Sequence, residues 1–165
     1  MTDALGWIDA LQLRGHPEGG WFREIYRSNE TVPQSSLPSR FSGNRRFSTA
    51  IYFLLEESDF SALHRLQQDE LWHFYDGGKL TIHVIDPAGH YSAIGLGRNV
   101  ETDEQPMAVV KAGCLFGATV ETKTFSLVGC TAAPGFEFKD FELPSRAELL
   151  EQYPRHGSII ERLTR

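Results

Sequence analysis

Apolar and polar residues alternate with a period of two through most of the middle of the chain. Phe47, Thr49, Ile51, Phe53 and Leu55 interleave with Ser48, Ala50, Tyr52 and Leu54, and both sets are fairly apolar. Residues two apart on an extended chain share a face, so this segment predicts a central strand buried on both sides. Leu80, Ile82 and Val84 interleave with Lys79, Thr81 and His83, the pattern of a half-exposed strand, and Thr124–Ala133 reads as another long buried strand. Turn chemistry punctuates these runs at Asp76-Gly77-Gly78, Asp86-Pro87-Ala88-Gly89 and Ala112-Gly113. About eight or nine short strands are expected between Trp21 and Phe138, with no helical period between them. That spacing predicts an all-β sandwich or barrel rather than parallel βαβ units.

Helical patterns occur only at the ends. Ala4–Leu11 is amphipathic, with Leu5, Ile8 and Leu11 expected on its buried side. Ser145 with Glu148 three places later has the form of a capping box opening a helix over Arg146–Gln152, which Pro154 ends; Ser158–Leu163 is a final turn. The segment Ser28–Gly43, with Pro33, Pro38 and several serines, reads as a solvated mobile loop, or else as a lid or an arm crossing to a second subunit.

A chain of 165 residues with 41% hydrophobic and 23% charged residues is one ordinary globular domain, 1–165, with its core over about 7–142 and a helical tail over 145–165. The net charge of −6 argues against a nucleic-acid partner, which would call for a basic stripe. No apolar run approaches the ~18 residues that span a bilayer, and the acidic start MTDALGWIDALQL is unlike a signal peptide, so no membrane association is expected. The two cysteines, Cys114 and Cys130, lack C-x-x-C spacing and read as buried, inert thiols of a reduced, cytoplasmic protein.

Chemistry-bearing residues concentrate between His64 and Gly78. Alternation puts Glu70, Trp72 and Phe74 on one face and Leu71, His73 and Tyr75 on the other, with His64 and Leu66 together on the preceding strand. If those strands are neighbours, His64 and Glu70 project into one cavity, where a carboxylate holding an imidazole in one tautomer makes a general base. Tyr52 or Tyr75 would be the matching acid. Trp72, Phe74, Tyr52 and Phe116 are expected to line the barrel, a surface suited to a planar or sugar ligand. His83, His90 and His156 are expected at the surface. In His16-Pro17-Glu18-Gly19-Gly20, the glycines fit a tight bend before the first strand, and Arg23 and Glu24 follow as candidate ligand contacts, since a guanidinium fork suits a phosphate.

His64, Glu70 and Gly77 fall at the spacing of the first cupin motif, G-x5-H-x-H-x3–4-E-x6-G, with Leu66 in place of the second histidine. Around Gly113 the second motif, G-x5-P-x-G-x2-H-x3-N, has Lys111 for its proline and Phe116 for its histidine. Together with His16–Glu24, and with Val128–Thr131 and Ala133–Phe136, these residues resemble the uncharacterised cupin family 5 from about Trp7 to Glu142. The resemblance implies a double-stranded β-helix (jelly roll), commonly homodimeric, related to seed storage cupins and dTDP-sugar epimerases. Family members usually read V-P-A-G followed by tryptophan and glutamine; Lys111, Leu115 and Phe116 depart from that pattern.

The expected function is therefore a small-molecule-binding cupin, working as an isomerase or epimerase on a sugar or nucleotide-like ligand without an obligatory metal or other cofactor. His64 is the expected base and Glu70 its orienter; His73 is a further ligand contact. The alternatives are a metal-dependent enzyme holding a divalent ion with His64, Glu70 and His73, and a non-catalytic binding or storage-like protein.

Overall fold

The computed structural model describes residues 2–120 and 123–165. A helix α1 (Ala4–Leu11) leads into β1 (Arg14–Gly15), β2 (Trp21–Arg27), β3 (Thr31–Val32), β4 (Arg45–Arg46), β5 (Thr49–Glu56), β6 (Phe60–Leu66) and β7 (Asp69–Gly77). Then follow β8 (Leu80–Ile85), β9 (Tyr91–Leu96), β10 (Glu104–Gln105), β11 (Met107–Val110), β12 (Leu115–Val120), β13 (Phe125–Ala133), β14 (Phe141–Glu142), and the helices α2 (Arg146–Gln152) and α3 (Gly157–Arg162). Among the described residues, nine strands have four residues or more, which agrees with the periodicity.

Two six-stranded sheets face each other. The first runs β1-β2-β5-β13-β7-β11 and the second β10-β9-β8-β12-β6-β14. Pairing within them is antiparallel except between β9 and β10. This is an all-β double-stranded β-helix with short terminal helices. Its core lies between the sheets, where Phe53, Leu55, Trp72, Leu80, Ile82, Phe116, Ala118 and Val128 pack together.

The two strands carrying His64 and Glu70 are not neighbours. The short link Gln67-Gln68 carries the chain from β6 in the second sheet to β7 in the first. The link is held from below by a buried network in which Gln68 Nε2 donates to Asp140 Oδ2 at 2.7 Å and Arg45 pairs with Asp140 at 2.5 Å. His64 and Glu70 therefore approach the interior from opposed walls.

Three expectations about exposure are corrected. Strand β8 is buried on both faces, because the Thr81 and His83 side is covered as well. His83 is 4% exposed, its ring nitrogens engaged by the Tyr91 hydroxyl at 2.8 Å and the Thr119 hydroxyl at 2.9 Å. Helices α2 and α3 cover the same sheet through Leu149, Ile160 and Leu163 against Leu63, Ile85 and Leu115. On α1, Leu5 is exposed and the packed face is Ala4, Trp7, Ile8 and Leu11, which lie over Leu54 and Leu127 on the outside of the first sheet.

The capping box, the cysteines and His90 match the sequence, whereas His156 and the segment 28–43 depart from it. The Ser145–Glu148 capping box is formed, and both cysteines are buried and unpaired. His90 is exposed, whereas His156 is half-buried with its Nε2 at 2.7 Å from the Gly89 carbonyl oxygen. The segment 28–43 is pinned to the barrel: Phe41 is buried, β3 pairs with β4, and Arg40 donates to the Gln67 carbonyl at 2.8 Å.

Candidate active site

A cavity of about 270 Å³ opens between the sheets at the end where β5 and β7 begin and β13 finishes. Strand alternation decides what reaches it. From β5 come Thr49, Ile51 and Phe53, from β13 Cys130 and Ala132, from β7 Glu70 and Trp72, and from β6 His64 and Leu66. On β2 a bulge between Glu24 and Tyr26 breaks the period, so Phe22, Glu24 and Arg27 all face inward. Arg14, His16 and Glu18 close one side, and Phe136, Glu137, Phe138 and Phe141 the other.

Glu18 is the carboxylate that meets His64. Gly19 and Gly20 both have positive φ, 109° and 74°, and a Cβ at Gly19 would strike the Phe60 carbonyl. The bend they allow lays Glu18 against β6: Ala62 N donates to the Glu18 carbonyl at 2.7 Å, and Ser61 Oγ donates to Glu18 Oε1 at 2.9 Å. Glu18 Oε2 then lies 3.0 Å from His64 Nε2. The tight bend expected at Gly19 and Gly20 is present, and it is what carries Glu18 to His64.

The protons in this pair can be placed by valence. His64 Nδ1 lies 2.7 Å from the Ala62 carbonyl oxygen, which only accepts, so Nδ1 carries a hydrogen. Between Nε2 and Glu18 Oε2 there is then room for one shared proton. Burial pushes His64 down to about 4, against the pull of the Ala62 carbonyl. Burial also raises the Glu18 carboxyl, opposed by His16 and by the Ser61 hydroxyl. Where the pair holds a proton, both directions place it on Glu18 rather than on His64. His16 accepts from the Glu18 backbone N–H at 3.2 Å through Nδ1, and burial lowers its pKa as well. The Phe116 ring backs His64 at 4.1 Å between centroids.

Glu70 faces the same cavity from the other sheet. Its Oε2 accepts from Trp72 Nε1 at 3.0 Å, and among the described residues its Oε1 has no hydrogen-bond donor. The residue keeps some accessible surface, but that surface opens into the cavity. Burial first, then the nearby Glu18 charge, lift its pKa to about 8, with the Trp72 N–H opposing. Glu70 is protonated near neutrality. Cys130 beside it is pushed up too, mainly by burial, and is a neutral thiol.

The rim is charged and largely self-neutralised. Arg27 grips Glu24 with two hydrogen bonds of 2.9 and 2.8 Å, pairs with Glu137 at 2.9 Å and donates to the Phe136 carbonyl at 3.1 Å. Arg14 sits 5.2 Å over the Phe22 ring.

Of the residues selected from sequence, His64, Glu70, Trp72 and Glu24 line the cavity. Glu70 is not the partner of His64; Glu18 takes that place. Tyr52 and Tyr75 do not reach the site: their rings pack edge to face at 6.0 Å on the outside of the first sheet, as their strand parity dictates. His73 shares that outer face. Arg23 also points outward, donating to the Leu11 carbonyl at 3.1 Å. Phe74 packs into the core with Arg98 over its ring at 5.7 Å, and Phe116 serves as the backing of His64. Sequence reasoning missed His16 and Glu18 as site residues. The available signal was an acid set immediately before two glycines, a bend that can turn a side chain back into the barrel.

The residues do not fit a metal. The cupin motif positions carry His64 and Glu70 but also Leu66 and Phe116, which have no donor atom. His73, proposed as a substitute, lies on the opposite face of β7. Among the described residues no three histidine, cysteine, aspartate or glutamate side chains are grouped so as to hold a metal ion.

A jelly-roll barrel with a polar cavity between its two sheets is the architecture of the cupin superfamily. The chain belongs to the Cupin_5 family of that superfamily (DUF985), whose model matches residues 6–144. A solved protein of Shewanella oneidensis is similar at 41% identity and a TM-score of 0.90, covering 100% of this chain and 99% of that one. The uncharacterized yeast protein YML079W of Saccharomyces cerevisiae is 29% identical over 143 residues, 81% of this chain and 71% of its own. A dTDP sugar isomerase from Desulfovibrio desulfuricans shares the fold at 16% identity and a TM-score of 0.53, over 76% of this chain and 81% of that one.

Proposed function

We propose that the cavity binds a small, carbonyl-bearing, sugar-like molecule and moves a proton at the carbon beside the carbonyl, the chemistry of an isomerase or epimerase. The observation that carries this reading is the pair of opposed walls: an acid–imidazole pair from one side and a protonated carboxyl with a free oxygen from the other. A volume of about 270 Å³ matches about nine liquid waters at ~30 Å³ each, which suits a monosaccharide-sized body.

Shifting the shared proton from Glu18 Oε2 to His64 Nε2 leaves a Glu18 carboxylate, with the imidazolium held by the Ala62 carbonyl. That carboxylate takes the proton from carbon. The oxygen that gains negative charge as the C–H bond breaks receives the proton of Glu70, giving a neutral enol and a Glu70 carboxylate. Return of a proton to carbon, with Glu70 recovering its own, closes the cycle. No step passes through a metal. The shared fold with a dTDP sugar isomerase is compatible with this chemistry, but a fold hosts many reactions.

The test is solvent deuterium exchange. In D₂O, proton NMR on a panel of ketoses and 4-keto sugars should show loss of the hydrogen beside the carbonyl in at least one of them. Glu70→Gln should slow that loss by roughly 10²–10⁴-fold, while Arg23→Ala leaves it unchanged. No exchange across the panel, or exchange indifferent to Glu70→Gln, overturns the reading.

A further inference from the structure

Six phenylalanine and tryptophan rings line the cavity: Phe22, Phe53, Trp72, Phe136, Phe138 and Phe141. Phe53 meets Trp72 edge to face at 6.0 Å, and Phe136 meets Phe141 at 6.4 Å. The acidic groups set among these rings are Glu18 and Glu70, with Glu24 and Glu137 at the rim. The cavity's two arginines both stand at the mouth. One of them, Arg27, is already neutralised by Glu24 and Glu137. Glu18 is occupied by Ser61 and His64, so the open acceptor inside is Glu70 Oε1. Aromatic faces are negative, and Glu70 adds to that potential once an incoming cation ionises it; such a lining favours an organic cation over a phosphate. The chain's net charge of −6 works in the same direction. A bare metal ion would need several converging donors, and no such group is formed among the described residues. A cation with an apolar surface uses both features, the rings and the lone carboxyl.

We propose that the cavity takes a small organic cation, a molecule bearing an amine or quaternary ammonium group, seated among Phe22, Phe53 and Trp72 with Glu70 as its counter-charge. The inference rests on the cavity being the functional site: a cation that holds Glu70 ionised removes the acid the proton transfer needs, so it binds there in place of the substrate. The lining rings supply the aromatic surface, and Glu70, released from its proton by the incoming charge, supplies the ion pair.

Isothermal titration calorimetry with choline, with its uncharged carbon isostere 3,3-dimethylbutan-1-ol and with inorganic phosphate separates charge from shape. Choline should bind about tenfold or more tightly than the alcohol, and phosphate more weakly than either. Glu70→Gln keeps an oxygen for the Trp72 N–H and should fold normally, which circular dichroism checks. It should weaken choline about tenfold while leaving the alcohol within about twofold. Equal binding of choline and the alcohol, no binding of choline at millimolar concentration, tighter binding of phosphate, or a Glu70→Gln variant with unchanged choline affinity each overturns the proposal. Because this experiment reads affinity and the deuterium experiment reads turnover, either reading can fail while the other stands.

Discussion

The two ends of the barrel interior are built from the same strands and do opposite things. Toward the far ends of β7 and β12, Leu80, Ile82, Leu96 and Ala118 are 0% exposed and Val120 nearly so, a dry plug of side chains. Toward the starts of β5 and β7, the same inward parity delivers His64, Glu70 and Cys130 around an open space, joined by Glu18 from outside the regular strands. Burial stabilises the first end directly. At the second it shifts proton affinities, because a charge there has little water to solvate it. One end is spent on stability and the other on chemistry, which makes the two separable by substitution.

The largest separation should come from the plug. Ile82→Ala removes buried methyl groups from a site that has no room to collapse, and chemical denaturation should show a loss of about 2–5 kcal/mol with ligand affinity kept in the folded fraction. Glu18→Ala strikes the seam between the two ends. It leaves His64 Nε2 without its partner and opens a gap beside β6, for a loss of about 1–3 kcal/mol together with loss of deuterium exchange. A variant that lost exchange at full stability would place Glu18 wholly in the chemistry; one that lost stability alone would place it in the plug.

A smaller effect concerns pH. Glu70 has its folded pKa raised to about 8, so the folded state holds a proton that the unfolded chain has already released. Its contribution is greatest below the ordinary glutamate pKa and is lost as pH rises toward 8. His64, depressed to about 4, behaves oppositely: stability on its account rises from pH 4 up to its ordinary value near 6.5. The two slopes largely offset each other at mildly acidic pH, and above about 6.5 the His64 gain is complete while the Glu70 loss continues. Stability should therefore fall by about 1–2 kcal/mol between pH 6.5 and 8, at 1.36 kcal/mol per unit, and Glu70→Gln should flatten that fall in thermal melts. The smallest effect belongs to the outer face. Tyr75→Phe, on the far side of the sheet from the cavity, should change exchange rates less than about twofold and stability by about 0.5 kcal/mol or less.

The architecture was legible because alternation is a local signal. On β7 it sorts Glu70, Trp72 and Phe74 inward and His73 and Tyr75 outward without any knowledge of the rest of the chain. That parity puts His73 and Tyr75 outside, and Tyr52 on β5 with its register partner Arg23 on β2 faces the same outer side. What alternation does not carry is which strands share a sheet: His64 and Glu70 are near in sequence, yet the Gln67-Gln68 link sends them to opposite walls. Nor does it reach Glu18, whose position depends on the φ angles of Gly19 and Gly20 and on backbone hydrogen bonds to a strand far along the chain. The burial of His83 was equally hidden, since Tyr91 and Thr119, which satisfy it, come from two other strands.

The direct measure of the account is the proton on Glu70. In protein labelled with ¹³C at glutamate side-chain carboxyls, the resonance that disappears in Glu70→Gln should titrate near pH 8. Titration of that resonance in the ordinary carboxylate range, near pH 4–5, would mean that Glu70 is solvated and ionised, and the opposed-wall mechanism would fall with it.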